Sequence, residues 1–210
     1  MLVERLSNAW ENGGMSSDPD PELPEPLRDG AYARIERERR FVVIEPPPVT
    51  NEGTVRQITD RYLTGTRLRL RLIRRQDSNT SQYVLTQKVP SRRHGGVQGL
   101  ITNTYLNDVE YDLLASLPAV VLAKTRFSFP PVGIDVFDGP LDGLVMAEAE
   151  FTSDAACDAF VPPSYCIAEV TDDDRFTGAR LAHANRGELL AWLTELHITR
   201  SRPDEAAHGS

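Results

Sequence analysis

Glu36-Arg37-Glu38-Arg39-Arg40 lies inside a strand-like run, Tyr32 to Ile44, and a strand sends alternate residues to alternate faces, so Glu36, Glu38 and Arg40 point the same way. Farther on, Arg67, Arg69 and Arg71 alternate with Leu68, Leu70 and Leu72, while Glu148 and Glu150 alternate with Ala147, Ala149 and Phe151. Antiparallel sheets often turn one charged face to water and one apolar face to a core. A solvated face usually mixes Lys, Glu, Ser and Thr, whereas here sign is sorted by strand. The apolar parities must be buried against helices or a second sheet. A curved or closed sheet, with its charged face inward and its apolar face packed outside, satisfies both parities. Where such faces meet they make a pocket with acids to hold a metal and bases to hold a polyanion.

The chain of 210 residues, 40% hydrophobic, fits one globular domain with loose ends, and it has neither an apolar run for a membrane span nor a signal-peptide pattern. The expectation is a cytoplasmic protein with no membrane partner, either monomer or homodimer. Cys157 and Cys166 give no disulfide framework and have no Cys or His neighbour at metal-ligand spacing, so they read as small core residues. His94, His183, His197 and His208 are scattered, which leaves zinc and a His-based nucleophile unsupported. A net charge of -8 argues against a nucleic-acid polymer as partner. Residues 1–30, with Asp18-Pro19-Asp20-Pro21-Glu22 at their centre, read as an acidic, Pro-rich disordered lead-in, in which Met1 to Trp10 is a possible short helix. The folded domain is expected over 31–200, with a flexible tail over 201–210.

Between those ends the chain is dominated by strands. Tyr32–Ile44 stops at Pro46-Pro47-Pro48; Ile58–Thr64, led in by Thr54–Gln57, turns at Gly65 into Thr66–Arg75 as a hairpin. Strands follow at Ser81–Val89 and Leu100–Leu106, flanking the basic loop Ser91-Arg92-Arg93-His94-Gly95-Gly96. That loop reads as solvated, or as a lid over a cavity mouth. Asn107 or Asp108 caps a short helix through Leu117, and Val120–Phe129, Gly133–Phe137 and Leu144–Phe151 are divided by Pro130-Pro131 and Asp138-Gly139-Pro140. Cys166–Thr171 is the last strand, and Asn185-Arg186-Gly187-Glu188 opens an amphipathic helix to about Leu196.

This ordered series resembles the CYTH superfamily, the triphosphate tunnel metalloenzymes, which includes thiamine triphosphatases, inorganic triphosphatases and class IV adenylyl cyclases. The resemblance spans roughly Tyr32 to Trp192. Glu36-Arg37-Glu38-Arg39-Arg40 is similar to the family's Glu-x-Glu-x-Lys strand, Arg69-Leu70-Arg71 to its Arg-x-Arg strand, Lys88 to the lone lysine of the next strand, and Lys124-Thr125-Arg126 to its Lys-x-Arg strand. Ile134-Asp135-Val136-Phe137, Glu148-Ala149-Glu150 and Glu169-Val170-Thr171 look like its C-terminal acidic strands.

The resemblance implies an α+β fold, an eight-stranded antiparallel β tunnel with a charged interior and helices packed outside. It implies a triphosphate ligand, whether inorganic triphosphate, ATP or thiamine triphosphate, bound by Arg69, Arg71, Lys88, Lys124 and Arg126. Mg²⁺ or Mn²⁺ is then expected among Glu36, Glu38, Asp135, Glu148 and Glu150, with Glu36, Glu38 and Arg40 as catalytic candidates and Glu169 as a further tunnel residue. The expected activity is metal-dependent hydrolysis of the triphosphate. A cyclase reaction and a non-catalytic polyphosphate-binding module stay open. The sequence departs from the family at Arg40, where lysine is usual, and at Thr59-Asp60-Arg61-Tyr62-Leu63, which replaces a Gln-Gly-Tyr-Leu. Arginine stays charged where lysine can lose a proton, and Asp60 reads either as a turn-side hydrogen-bonding group, the slightly preferred reading, or as a further polar tunnel residue.

Overall fold

Alternation of charged and apolar residues is resolved by closure. The computed structural model describes residues 32–44, 54–78, 80–91 and 95–198. Its strands are β1 (Arg34–Val43), β2 (Thr54–Leu63), β3 (Leu68–Arg75), β4 (Ser81–Pro90), β5 (Val97–Leu106), β6 (Ala119–Phe129), β7 (Val132–Phe137), β8 (Val145–Glu150) and β9 (Cys166–Glu169). They run in the order β5-β4-β3-β2-β6-β7-β8-β1-β9, and a further β5–β1 pairing joins the ends of the eight long strands into a barrel. The expected tunnel is therefore present. β1 shares its second edge: Arg34 to Arg37 pair with β5, and Phe41 to Val43 with β9. A bulge at Glu36/Arg37 marks the handover.

Each outward apolar parity has its cover. Leu70 and Leu72 lie under Tyr111 and Leu114 of helix α1 (Asp108–Ala115). Truncating a fully buried side chain such as Leu70 to Ala costs about 2–5 kcal/mol. Ala147 and Ala149 pack with Phe41, Val43 and Ile134 beneath Phe160 and Tyr165, beside the short helix α2 (Asp154–Asp158). A third cluster differs in kind, because Val42, Leu122, Phe137 and Met146 have the parity of the charged inner residues. They are buried by Leu181 of α3 (Gly178–His183) and by Leu189 and Trp192 of α4 (Arg186–Glu195). The C-terminal helices thus fill one end of the barrel.

Local chemistry explains most boundaries. Asn107 caps α1 and Asn185 caps α4, each in a reciprocal capping box with a glutamate at the third helical position, Glu110 and Glu188. Gly65 turns the β2–β3 hairpin at φ +71°. The expected lead-in at Thr54 is part of one continuous β2, and β5 begins at Val97 rather than Leu100. α1 ends at Ala115, before Leu117. Helices α2 and α3 have no counterpart in the sequence reading. The acidic lead-in with its Met1–Trp10 segment, the Pro46-Pro47-Pro48 stop, the Arg92-Arg93-His94 loop and the C-terminal tail lie outside the described residues. No helix among the described residues is long and apolar enough to cross a membrane.

Candidate functional site

Strand register sets charge against charge across the barrel interior. Opposite Arg126 on β6 stands Asp135 on β7, fully buried, whose carboxylate accepts Arg126 Nε and Nη2 at 2.6 Å each and Lys124 Nζ at 2.5 Å. Glu148 on β8 accepts from Arg126 Nη2 and lies 3.7 Å from Lys124 Nζ. On the other side of β6, Asp60 of the neighbouring strand β2 faces Arg71 of β3 and holds it through both oxygens, at 2.6 and 2.7 Å, with Arg69 Nε 3.6 Å away. Glu36 accepts Lys88 Nζ at 2.7 Å, and Glu38 lies 3.7 Å from Arg40 Nη1.

These pairs surround one cavity of about 890 Å³. Glu36, Glu38, Arg40, Arg69, Arg71, Lys88, Lys124, Arg126, Glu148 and Glu150 all line it, as the strand parities predict. Three residues stand elsewhere than expected. Asp135 was expected among metal ligands, but it lies behind the cations with both oxygens already occupied by Lys124 and Arg126. Glu169 was expected in the tunnel; it pairs in register with the outward Phe41 and binds Arg39 on the outer face at 2.8 and 2.7 Å. Asp60, read as a turn-side group, is an inner residue only 1% exposed.

Sequence reasoning passed over several lining groups. Tyr62 shares the parity of Asp60 and lines the cavity, which alternation alone reveals. Arg69 Nη2 donates to the buried Thr86 hydroxyl at 3.2 Å, and that hydroxyl donates to Asn103 Oδ1 at 2.8 Å. Thr171, Thr177, Arg180 and His183 line the cavity from the C-terminal segment, placed there by tertiary packing that no short motif encodes.

The electrostatics are uneven. Burial, then the negative charges of Glu148 and Glu36, push Glu38 up to about 7, against the opposing pull of Lys88 and Arg40. Burial acts on Glu148 too, but Lys124 and Arg126 override it and hold that carboxyl well below its ordinary value. Among the described residues, the inner donors Arg40 Nε and Arg69 Nε are buried without a hydrogen-bond partner. Such groups are uncommon in folded proteins, and both belong to side chains lining the cavity. Among the described residues no three acids, histidines or cysteines are already gathered around one point as a cation site. The carboxylates of Glu36, Glu38, Glu148 and Glu150 are nonetheless the hard oxygen donors that Mg²⁺ or Mn²⁺ takes. Crowding that raises Glu38 is relieved by added positive charge.

No family model matches the chain. A protein of Nitrosomonas europaea named inorganic triphosphatase is 32% identical over 157 residues, spanning 70% of this chain and 96% of that protein. A solved structure of an inorganic triphosphatase is 27% identical over 71% of this chain and 95% of its own, with a TM-score of 0.48. A structure from Pyrococcus horikoshii, at 18% identity, covers 59% of this chain and 82% of its own with a TM-score of 0.44. With a relative of that identity along nearly its whole length, this chain belongs to the CYTH superfamily of triphosphate tunnel enzymes.

Proposed function

We propose that this protein is a divalent-metal-dependent hydrolase that cleaves inorganic triphosphate, or a related organic triphosphate, within the barrel and releases phosphate. The observation that carries this reading is the facing of cations from β1, β3, β4 and β6 on a single cavity that also presents the acids of β1 and β8. A triphosphate bears several negative charges along one short chain, and cations from several walls meet it better than a single patch does. The name of the Nitrosomonas europaea relative points to the same substrate.

Arg69 and Arg71 offer planar forks to non-bridging oxygens from one wall, and Lys124 and Arg126 from another. Asp60 and Asp135 hold those cations from behind, which keeps their heads aimed inward without a geometric search when the anion arrives. Glu36, Glu38, Glu148 and Glu150 would hold Mg²⁺ or Mn²⁺, which would supply the positive charge that lets acids and phosphate share the cavity. In the hydrolysis a water oxygen bonds to the terminal phosphorus while the bridging P–O bond breaks; one of the water's protons stays with the phosphate formed and the other passes to the departing diphosphate or to solvent, and the cations of β3 and β6 stabilise the charge gathering on the phosphate oxygens.

Incubation with triphosphate, ATP and thiamine triphosphate, each with Mg²⁺, with Mn²⁺ and with chelator, tests the proposal. Metal-dependent phosphate release is the expected result. Pyrophosphate release from ATP together with a cyclic nucleotide would instead indicate a cyclase, and tight binding of unchanged ligand a binding module.

A further inference from the structure

A chain of contacts runs from the outside of the barrel to Arg40 on its inside. Arg39, on the outer face, grips both oxygens of Glu169 at 2.8 and 2.7 Å, donates to the Phe160 carbonyl at 2.9 Å, and lies over the rings of Phe41 and Phe160 at 5.3 and 5.8 Å. Glu169 Oε1 accepts the Thr171 hydroxyl at 2.7 Å. That same hydroxyl accepts the Arg40 backbone N–H at 3.1 Å, and the Thr171 carbonyl accepts Arg40 Nη2 at 2.6 Å.

The Arg40 guanidinium has little else to aim it. Glu38 stands 3.7 Å from Nη1, beyond hydrogen-bond reach, and Nε has no hydrogen-bond partner among the described residues. The backbone bond from Val170 N–H to the Arg40 carbonyl, at 2.8 Å, already docks the two segments. The Glu169–Thr171 bond is therefore additional to that docking, and it fixes residue 171, whose carbonyl meets the guanidinium. A long side chain left free to turn loses much of its use as an anion clamp, since binding must then order it.

We propose that Thr171, held in place by Glu169, is a positioning residue for Arg40, and that the Arg39–Glu169 pair outside the barrel thereby sets the direction in which Arg40 meets the bound anion. This rests on the reading of the cavity as a triphosphate site. Glu169 acts through two intermediaries and never touches the ligand.

Thr171→Val keeps the shape and removes the hydroxyl, Thr171→Ser restores it, and each is combined with Arg40→Ala. Thr171→Val should lower kcat/KM for triphosphate hydrolysis about ten- to a hundredfold, the scale of one charge-linked hydrogen bond, with Thr171→Ser close to the parent. In the Arg40→Ala background Thr171→Val should bring no further loss, since its target is gone. Equal losses in both backgrounds, or none in either, would overturn the proposal. An independent arm follows the Arg40 Nε–H resonance by NMR in ligand-free protein: Thr171→Val should shift and broaden it, and Thr171→Ser should not. An unchanged resonance also overturns the proposal. If the parent protein releases no phosphate while the resonance responds as expected, the hydrolase reading fails and the positioning role stands.

Discussion

Asp60 takes Arg71 through both carboxylate oxygens, Nε to Oδ1 at 2.6 Å and Nη2 to Oδ2 at 2.7 Å, at a point in the barrel wall where Asp60 is 1% exposed. Burial alone would raise this carboxyl, but the charge and hydrogen bonds of Arg71, with Arg69 and Lys124, bring it down to about 2. Asp60→Asn strands a buried guanidinium and should cost about 3–5 kcal/mol at neutral pH. The pH dependence has a fixed sign. A folded-state value below the unfolded one stabilises the protein above about pH 4, and that stabilisation, on the order of 2 kcal/mol, is lost as pH falls toward 2. Denaturant unfolding of both proteins from pH 5 to pH 2 should show the parent's advantage shrinking toward the acid end; a constant gap would mean that Asp60 is not held by its charge.

The sequence made the barrel legible because its inner face is written in alternating charge. Glu36, Glu38, Arg69, Arg71, Lys124, Arg126, Glu148 and Glu150 all came to one cavity from parity and motif order. Parity says which face a residue takes but not what stands across from it. Asp135 has the correct face, yet its register opposite Arg126 makes it a support for cations. Glu169 failed for another reason: β9 is short, meets only the end of β1, and its register slips between Val42 and Val43, so its face cannot be counted from the sequence. The apolar end of the interior depends on Leu181, Leu189 and Trp192, distant in sequence from Val42 and Met146. Such closure is a tertiary fact with no local signal.

Gly178 marks how tightly that closure is made. A Cβ there would lie 2.2 Å from Tyr62 Oη and 3.3 Å from its Cζ. Tyr62 is a rigid ring lining the cavity, so it cannot swing away as a long side chain would. Gly178→Ala should therefore destabilise the protein by about 1–3 kcal/mol through overpacking, and displacement of Tyr62 should raise KM for triphosphate. Removing the obstructing oxygen is the control. In a Tyr62→Phe background Gly178→Ala should cost measurably less, by thermal midpoint and by KM; equal costs in both backgrounds would place the strain elsewhere.

Arg40 stands where the superfamily usually carries lysine, and its Nη2 is bound to the Thr171 carbonyl at 2.6 Å within the cavity wall. A guanidinium remains charged across the working range, so Arg40 can hold phosphate but cannot take a proton from water. Lysine at this place, among acids and cations, can lose its proton as the medium becomes alkaline. Arg40→Lys should keep triphosphate affinity or loosen it slightly, since one planar fork becomes a point charge and the Nε donor is lost. Turnover should rise mainly on the alkaline side, where a proton acceptor becomes available. Paired pH profiles of kcat at saturating Mg²⁺, with triphosphate affinity measured alongside, decide the matter. If the lysine variant is slower at every pH, Arg40 does not limit proton transfer, and its value lies in the aim that Thr171 gives it.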